Sequence, residues 1–323
     1  MEYPIKKVVM TGGTSGIGIA LVNYLLKNNI EVWILRRRKT DRIMELPRND
    51  LLHVVYCSLE ELHDYIPKRS DYDVFFHLGW ANTAKELRND ITAHMKNVEY
   101  SCAAVELAKR CGCHTFIGVG SQAEYGRHNE PLKPDTLCRP ENAYGVAKLS
   151  ACHATRLLCD GKGIRHIWLR VLSGYGLYDG PYSVLISTIL KGLSGEQLQF
   201  SEGKQIWDFI HFDDIATALF LLAKRGKNNS VYVVGSGKKI MLKDYLRVVC
   251  EKLGRLDDME LGIIPYSTNA IMHLEADISD LVADTGWKPY VSFEDGIESI
   301  ILFYKKNRKY LEKGLNALNQ SEK

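Results

Sequence analysis

The 323-residue sequence contains no apolar run approaching the ~18 residues that a membrane-spanning helix needs, so no membrane partner is expected. It has almost no excess of either charge: 42 Lys and Arg against 39 Asp and Glu leave a formal net charge of +3. That is too little to argue for nucleic acid or an anionic membrane surface, although it would not repel a phosphorylated ligand. The opening stretch MEYPIKKVVMTGG lacks the charged-then-apolar layout of a secretory signal and runs straight into a strand-like segment. Paired cysteines are missing as well. The eight stand at 57, 102, 111, 113, 138, 152, 159 and 250, a scatter that favours free thiols in a reducing cytoplasm. Cys111-Gly-Cys113 has no partner CxxC or HxxxH pair, so no metal site is expected. Internal repeats and low-complexity linkers are absent too. What remains is 46% hydrophobic and 25% charged, ordinary for a globular chain with a sizeable core. At ~150 residues per domain the length suggests two domains, or one large α/β unit with an appended lobe.

The first half alternates β-branched runs with helical patterns. Strands are predicted at Lys6–Met10, Glu31–Leu35, Leu52–Tyr56, Asp73–Leu78, Thr115–Val119 and Ile167–Val171. Helices are predicted over Ile19–Lys27, Asn97–Arg110 and Ala143–Leu158. This alternation reads as a parallel, doubly wound α/β sheet. After Gly176 the pattern is mixed, with helices near Asp213–Lys224, Leu242–Leu253 and Phe293–Lys306, a strand at Val231–Val234, and a polar tail, Asn319–Lys323, expected to fray. The expected division is residues 1–175 for the sheet domain and 176–323 for a smaller mixed lobe over the carboxyl edge of the sheet, with exchange of a strand or helix back into the first domain. Ligands of open α/β sheets bind at that edge.

Gly12-Gly13-Thr14-Ser15-Gly16-Ile17-Gly18 follows the first strand and opens the first helix. Glycines there permit a tight turn and close approach of a pyrophosphate to backbone N–H groups, aided by the helix dipole. A glycine trio alone is a weak signal; strand before and helix after make it a dinucleotide site. The second strand runs into Arg36-Arg37-Arg38-Lys39. A carboxylate there would hold the ribose hydroxyls of NAD and repel a 2′-phosphate, whereas arginines pair with one. NADP(H) is therefore the expected cofactor, NAD(H) the second choice, with Arg36 or Arg37 facing the adenosine ribose.

Tyr144-Gly-Val-Ala-Lys148 places a phenol and an ammonium on one helical face. A tyrosine of pKa ~10 is a poor acid–base group at neutral pH, and a neighbouring ammonium would lower that value. Ser121, ending the fifth strand, can hydrogen-bond a substrate oxygen and orient it toward Tyr144.

With these motifs the chain resembles an extended short-chain dehydrogenase/reductase of the nucleotide-sugar epimerase/dehydratase group, a Rossmann-type fold with a C-terminal substrate lobe. The resemblance spans nearly the whole chain. It takes in His77-Leu78-Gly79-Trp80, Asn97, Ser121, Tyr144/Lys148, Arg170-Val-Leu-Ser-Gly-Tyr175-Gly176, Trp207-Asp-Phe-Ile-His-Phe-Asp213-Asp214, Val233-Val-Gly-Ser-Gly237 and Thr285-Gly-Trp-Lys-Pro289. The glycine spacing departs toward the shorter, single-domain branch. The resemblance implies that Tyr144 is the acid/base, that Lys148 tunes it and binds the nicotinamide ribose, and that Ser121 holds the substrate oxygen. It also implies that Gly12 to Gly18 cradle the pyrophosphate. Ser58 and Leu59 fall near the adenine, with Ser58 in place of the usual Asp. Leu78 and Gly79 border the adenosine side, and Asn97 braces the neighbouring backbone. Gln122, Ser173 and Trp207 fall on the substrate side.

The family dehydrates, epimerises or reduces nucleotide sugars. Dehydratases carry an acid/base pair just after the serine, where this chain has Gln122 and Ala123; Glu124 is one residue off, which on an extended stretch turns it away. Reductases that also epimerise at C3 and C5 carry a Cys at the position of Ala123 and a nearby His, both missing here. The expectation is an NADPH-dependent reductase of a nucleotide-activated 4-keto-6-deoxy sugar. The alternatives are a nucleotide-sugar 4-epimerase and, in another class, a non-catalytic NADP-binding regulator. Trp207 stands where many relatives have a pyrophosphate-clamping Arg; it reads equally as a lobe core aromatic, with Lys191 or Lys204 as replacement cations. The resemblance also implies a homodimer through the helices near Asn97–Arg110 and at Tyr144, with Ala103, Ala104, Val105, Leu107 and Ala108 as part of the apolar face.

Overall fold

The computed structural model describes residues 2–38, 45–83 and 87–321; Lys39 of the basic turn and the last two residues of the tail lie outside them. The chain runs β1 (Lys7–Thr11), α1 (Gly16–Lys27), β2 (Glu31–Arg36), β3 (Leu52–Tyr56), β4 (Val74–His77), α2 (Ile91–Arg110), β5 (Thr115–Ser121), α3 (Ala143–Lys162), β6 (Arg165–Val171) and β7 (Ser173–Tyr175). It continues α4 (Val184–Ser194), β8 (Leu198–Gln199), β9 (Ile206–Trp207), β10 (Phe209–His211), α5 (Phe212–Arg225), β11 (Ser230–Val234), β12 (Ile240–Met241), α6 (Leu242–Leu253), β13 (Met259–Glu260), α7 (Ser279–Thr285), α8 (Phe293–Lys306) and α9 (Arg308–Ser321). Seven strands form one parallel sheet in the order β11-β6-β5-β4-β1-β2-β3. This is the doubly wound α/β fold that the alternation predicts, and β1 is buried along its whole length because helices cover both faces.

One core cluster joins the sheet to α1, α5 and α7; a second, on the opposite face, joins it to α2 and the end of α3. The sheet core thus takes α5, β11 and α7 from beyond Gly176. The lobe has its own cluster, built from α4, α6, α8 and α9 with Tyr175, Phe200 and Phe209. The described part of the tail expected to fray, Asn319–Ser321, is helical: α9 reaches Ser321, and Leu311, Leu315 and Leu318 pack on one face into the lobe core. Gly314 lets that face close on α4, since a Cβ there would lie 2.8 Å from Leu190.

The apolar face expected for a dimer is also corrected. Ala104, Val105, Leu107 and Ala108 are fully buried in the chain's own core, because a helix against a sheet turns its small and aliphatic stripe inward. The exposed apolar side chains of α2 and α3 are instead Ile91, Met95, Val146 and Leu157.

Candidate active site

The glycine turn after β1 is shaped by backbone contacts. Gly12 has φ +73°, and a Cβ on it would lie 2.6 Å from the backbone of Leu78 and Gly79 at the end of β4. Gly18 abuts the Gly12 carbonyl and Gly16 abuts the Phe212 ring. Ser15 caps α1, its hydroxyl accepting from Gly18 N at 3.0 Å. The first turn of α1 has no acidic residue, so its N-terminus presents unopposed positive dipole. Thr11 Oγ1 accepts from Gly79 N at 3.1 Å and meets His77 Nδ1 at 2.9 Å, and His77 Nε2 meets Ser101 Oγ at 3.0 Å. The Asn97 amide brackets the backbone of Ala81, accepting from its N–H at 2.7 Å and donating to its carbonyl at 3.2 Å.

Beside this turn, Arg36 ends β2 with its guanidinium over the Tyr56 ring, 4.8 Å from the centroid. Arg36 is buried, yet its Nε and Nη1 have no hydrogen-bond partner among the described residues, while Arg37 is exposed. Orphaned donors of a buried charge are costly unless something else meets them. The Ser58 hydroxyl donates to Glu60 at 3.1 Å, and Leu59 lies against Gly79. Thr14 and Ile17 complete the turn into α1.

Ser121, Tyr144 and Lys148 converge at the carboxyl end of β5. Asn142 caps α3 by accepting from Gly145 N at 2.8 Å, and Gly145 lets that first turn sit directly on the Ala123 carbonyl. A Ser121 hydrogen bond and the charge of Arg88 both favour the Tyr144 phenolate, but desolvation by the rings packed on it outweighs them and raises its pKa. Lys148 is buried, donates to the Val119 carbonyl at 2.6 Å, and is drawn down to about 7 by desolvation against the opposing charge of Glu124. The expected depression of the Tyr144 pKa by Lys148 is therefore not what the geometry gives. The ammonium lies 3.8 Å from the centre of the Trp80 ring and 5.9 Å from that of Tyr144.

The reason given for setting Glu124 aside also changes. Gln122–Glu124 is a turn of 3₁₀ helix rather than extended chain. Glu124 folds inward, accepts from Ser121 N at 2.8 Å and Trp168 Nε1 at 3.1 Å, and pairs with buried Arg170 at 2.7 Å. It is held by structure and unavailable to move substrate protons.

A cleft of about 640 Å³ is lined by Arg88, Gln122, Arg127, Asn142 and Asn269, among others. Gln122 thus faces this cleft, whereas Ser173 and Trp207 do not line it. Trp207 packs between the lobe core and a small cluster that also seats the cleft residue Ile271. A second cleft of about 440 Å³ in the lobe includes Thr188, Lys191, Gln205 and Tyr266. Lys191 lines it, whereas Lys204 is paired with Glu202 at 2.9 Å. Sequence reasoning missed Arg88 and His94, which touch the Tyr144 ring; neither belongs to a spacing motif, and only the fold brings them there. Among the described residues no three His, Cys, Asp or Glu side chains gather as a metal site.

Comparison with known proteins agrees with this architecture. A model of the NAD dependent epimerase/dehydratase family matches residues 8–235. The chain is 25% identical to a dTDP-4-dehydro-6-deoxyglucose reductase of Escherichia coli, over 93% of this chain and 98% of that protein. It is 22% identical to a dTDP-glucose 4,6-dehydratase of Salmonella typhimurium, over 98% and 97%. Among solved structures, a UDP-N-acetylglucosamine 4-epimerase of Methanobrevibacter ruminantium, in complex with UDP-N-acetylmuramic acid, superposes with a TM-score of 0.84 at 24% identity, covering 94% of this chain and 100% of that one. A UDP-glucose 4-epimerase of Thermotoga maritima with UDP-glucose gives 0.82 at 21%, over 93% and 99%. At these identities the structural likeness shows the shared fold. With the family model covering the sheet, the glycine turn and the Ser121–Tyr144–Lys148 group, the chain belongs to the NAD dependent epimerase/dehydratase family, enzymes acting on sugar nucleotides.

Proposed function

We propose that this enzyme is an NADPH-dependent reductase of a nucleotide-linked 4-keto-6-deoxy sugar. Gly12, Gly13, Thr14, Ser15, Gly16, Ile17 and Gly18 would hold the cofactor pyrophosphate. Leu78 and Gly79 would border its adenosine, Ser58 and Leu59 its adenine, and Lys148 its second ribose. The observation that carries the reductase reading is Arg36. Two buried guanidinium donors without partners among the described residues suit a 2′-phosphate, and hence a reductant that exchanges with solution rather than a permanently held NAD. Dehydration is disfavoured because Gln122 and Ala123 carry no acid/base group and Glu124 is tied to Arg170. The named reductase relative points the same way.

A cofactor held by these residues would supply the hydride from its reduced nicotinamide. Tyr144 supplies the proton: with its pKa raised by packing, the phenol is protonated at neutral pH and can donate to the alkoxide oxygen. Ser121 holds that oxygen, and the charged form of Lys148 favours the tyrosinate left behind. Gln122 would contact the sugar, and the second cleft with Lys191 would receive the nucleotide in place of the missing Arg at Trp207. Ser173 and Trp207 would act as supports of the lobe. A homodimer through Ile91, Met95, Val146 and Leu157 belongs to the same reading, as does a cytoplasmic location for a chain whose eight cysteines are all free. A panel of nucleotide-linked 4-keto-6-deoxy sugars with NADPH, followed at the reduced-nicotinamide absorbance, tests it. Interconversion of C4 epimers of a nucleotide sugar that carries a C4 hydroxyl, with no net NADPH consumption, would establish a 4-epimerase instead.

A further inference from the structure

We infer that Trp80 and His94 are positioning residues that hold the Lys148 ammonium and the Tyr144 ring in their working arrangement. The half-buried indole of Trp80 stands directly after β4, with Lys148 Nζ 3.8 Å from its ring centre. At that distance a buried ammonium is attracted to the ring face, and indole is the strongest of the aromatic faces. The indole is itself fixed: its Nε1–H donates to His94 Nδ1 at 3.2 Å. An indole nitrogen only donates, so His94 must be neutral with its proton on Nε2. Burial lowers the His94 pKa and favours the neutral ring, whose buried Nε2 has no partner among the described residues. Both rings also meet Tyr144 edge-on, with centroids 6.0 Å away for Trp80 and 5.5 Å for His94, while Arg88 lies over the Tyr144 ring at 4.9 Å.

Lys148 needs such a holder because, among the described residues, little else keeps it charged. Its hydrogen-bond partner is the neutral Val119 carbonyl, and Glu124, the carboxylate that favours its charge, is already paired with Arg170. Among the described residues, the other titratable groups around the bracket are His77 on β4, pushed down to about 3 by burial with Lys148 adding to it, and Arg88 and Asp90 at the start of α2, which act on His94 in opposite senses. The ring face of Trp80 therefore stabilises the ammonium where no free carboxylate among the described residues does.

The inference rests on the proposed pairing of Lys148 with Tyr144, but its test needs neither substrate nor turnover. The full chain is labelled at lysine ¹³Cε, Lys148 is assigned by Lys148→Arg, and its titration is followed by NMR. Trp80→Leu keeps apolar bulk and removes the π face, so the Lys148 midpoint should fall by about one pH unit, a tenfold loss in proton affinity. Trp80→Phe should fall between Leu and wild type. His94→Phe, which removes only the acceptor for the indole, should lower the midpoint partway, and His94→Gln, which restores an acceptor, should recover it. Should Trp80→Leu fail to fold, Trp80→Phe decides alone, because its weaker face must still lower the midpoint. An unchanged midpoint in folded Trp80 variants would overturn the inference. If wild type titrates and responds as stated but reduces no ketosugar, the proposed reaction fails and the positioning role stands. In an active enzyme the alkaline limb of kcat should move with the Lys148 midpoint while KM stays near its wild-type value.

Discussion

On the cofactor side of the cleft, backbone lies against backbone. Gly12 meets the backbone at Leu78 and Gly79, Gly18 meets the Gly12 carbonyl, and Gly145 meets Ala123. On the lobe side, rings lie against rings: Phe209 packs on Tyr175, Tyr245 and Phe293, and Trp207 packs on Phe209. Backbone contacts leave no slack, since even one methyl group collides, whereas packed rings accept other shapes at modest cost. The cofactor half therefore carries recognisable spacings and the lobe does not. The same fold can keep one cofactor chemistry while its lobe varies in what it accepts.

The sharpest contrast should come from Tyr144→Phe. Loss of the phenolic proton should cut kcat by about 10²–10⁴-fold with cofactor affinity nearly unchanged, measured by steady-state kinetics and cofactor titration. A matching substitution in the lobe, Trp207→Phe, should leave kcat within a fewfold. Next in size is Glu124→Ala. It strands the buried Arg170 charge and removes the acceptor for Trp168 Nε1 and Ser121 N, so denaturant unfolding should show a loss of about 3–5 kcal/mol. Arg36→Ala should weaken NADPH binding by about 1.5–3 kcal/mol and leave NADH binding little altered. Equal losses for the two cofactors would mean that Arg36 does not read the 2′-phosphate.

The smallest effect is one of pH. Asp214 accepts from Tyr290 N at 2.7 Å and Val291 N at 3.3 Å, tying the start of α5 to the segment before α8. Burial outweighs these bonds and pushes its carboxyl up to about 6 from an ordinary 3.8. Between those values the folded chain binds more protons than the unfolded one, so this group's contribution to stability falls as pH rises from about 4 to 6. Comparing unfolding free energies of wild type and Asp214→Asn across that window should show the falling component only in wild type.

The legible part of the molecule was the part governed by local pattern. The strands predicted at Lys6–Met10 and Ile167–Val171 are β1, Lys7–Thr11, and β6, Arg165–Val171, legible as apolar runs because both are buried along their length, and the turn at Gly12 to Gly18 reads as a dinucleotide site from its glycine spacing between strand and helix. Helix starts were less legible: α2 begins at Ile91, six residues before the predicted Asn97, behind a cap by Asp90. In the lobe, α6 and α8 lie where the sequence predicts them, at Leu242–Leu253 and Phe293–Lys306, but the other elements are not legible. Its strands β8, β9, β12 and β13 are two residues each, too short for any periodicity, and α4 is apolar on most of its circumference. The reading of Gln122–Glu124 as extended chain overlooks a signal that the sequence carries: Ser121-Gln-Ala-Glu124 has the S-x-x-E spacing of a capping box, and the structure closes that box. Arg88, Trp80 and His94 meet at Tyr144 only because α2 and α3 pack side by side on the sheet.

The reductase reading stands or falls on stoichiometry. The wild-type chain is given a nucleotide-linked 4-keto-6-deoxy sugar and a limiting, measured amount of NADPH, and product and oxidised cofactor are counted together. One reduced sugar per NADPH consumed, with turnover stopping when the NADPH is spent, is the expected result. Conversion that continues far beyond the cofactor supplied, with the NADPH absorbance unchanged, would contradict it.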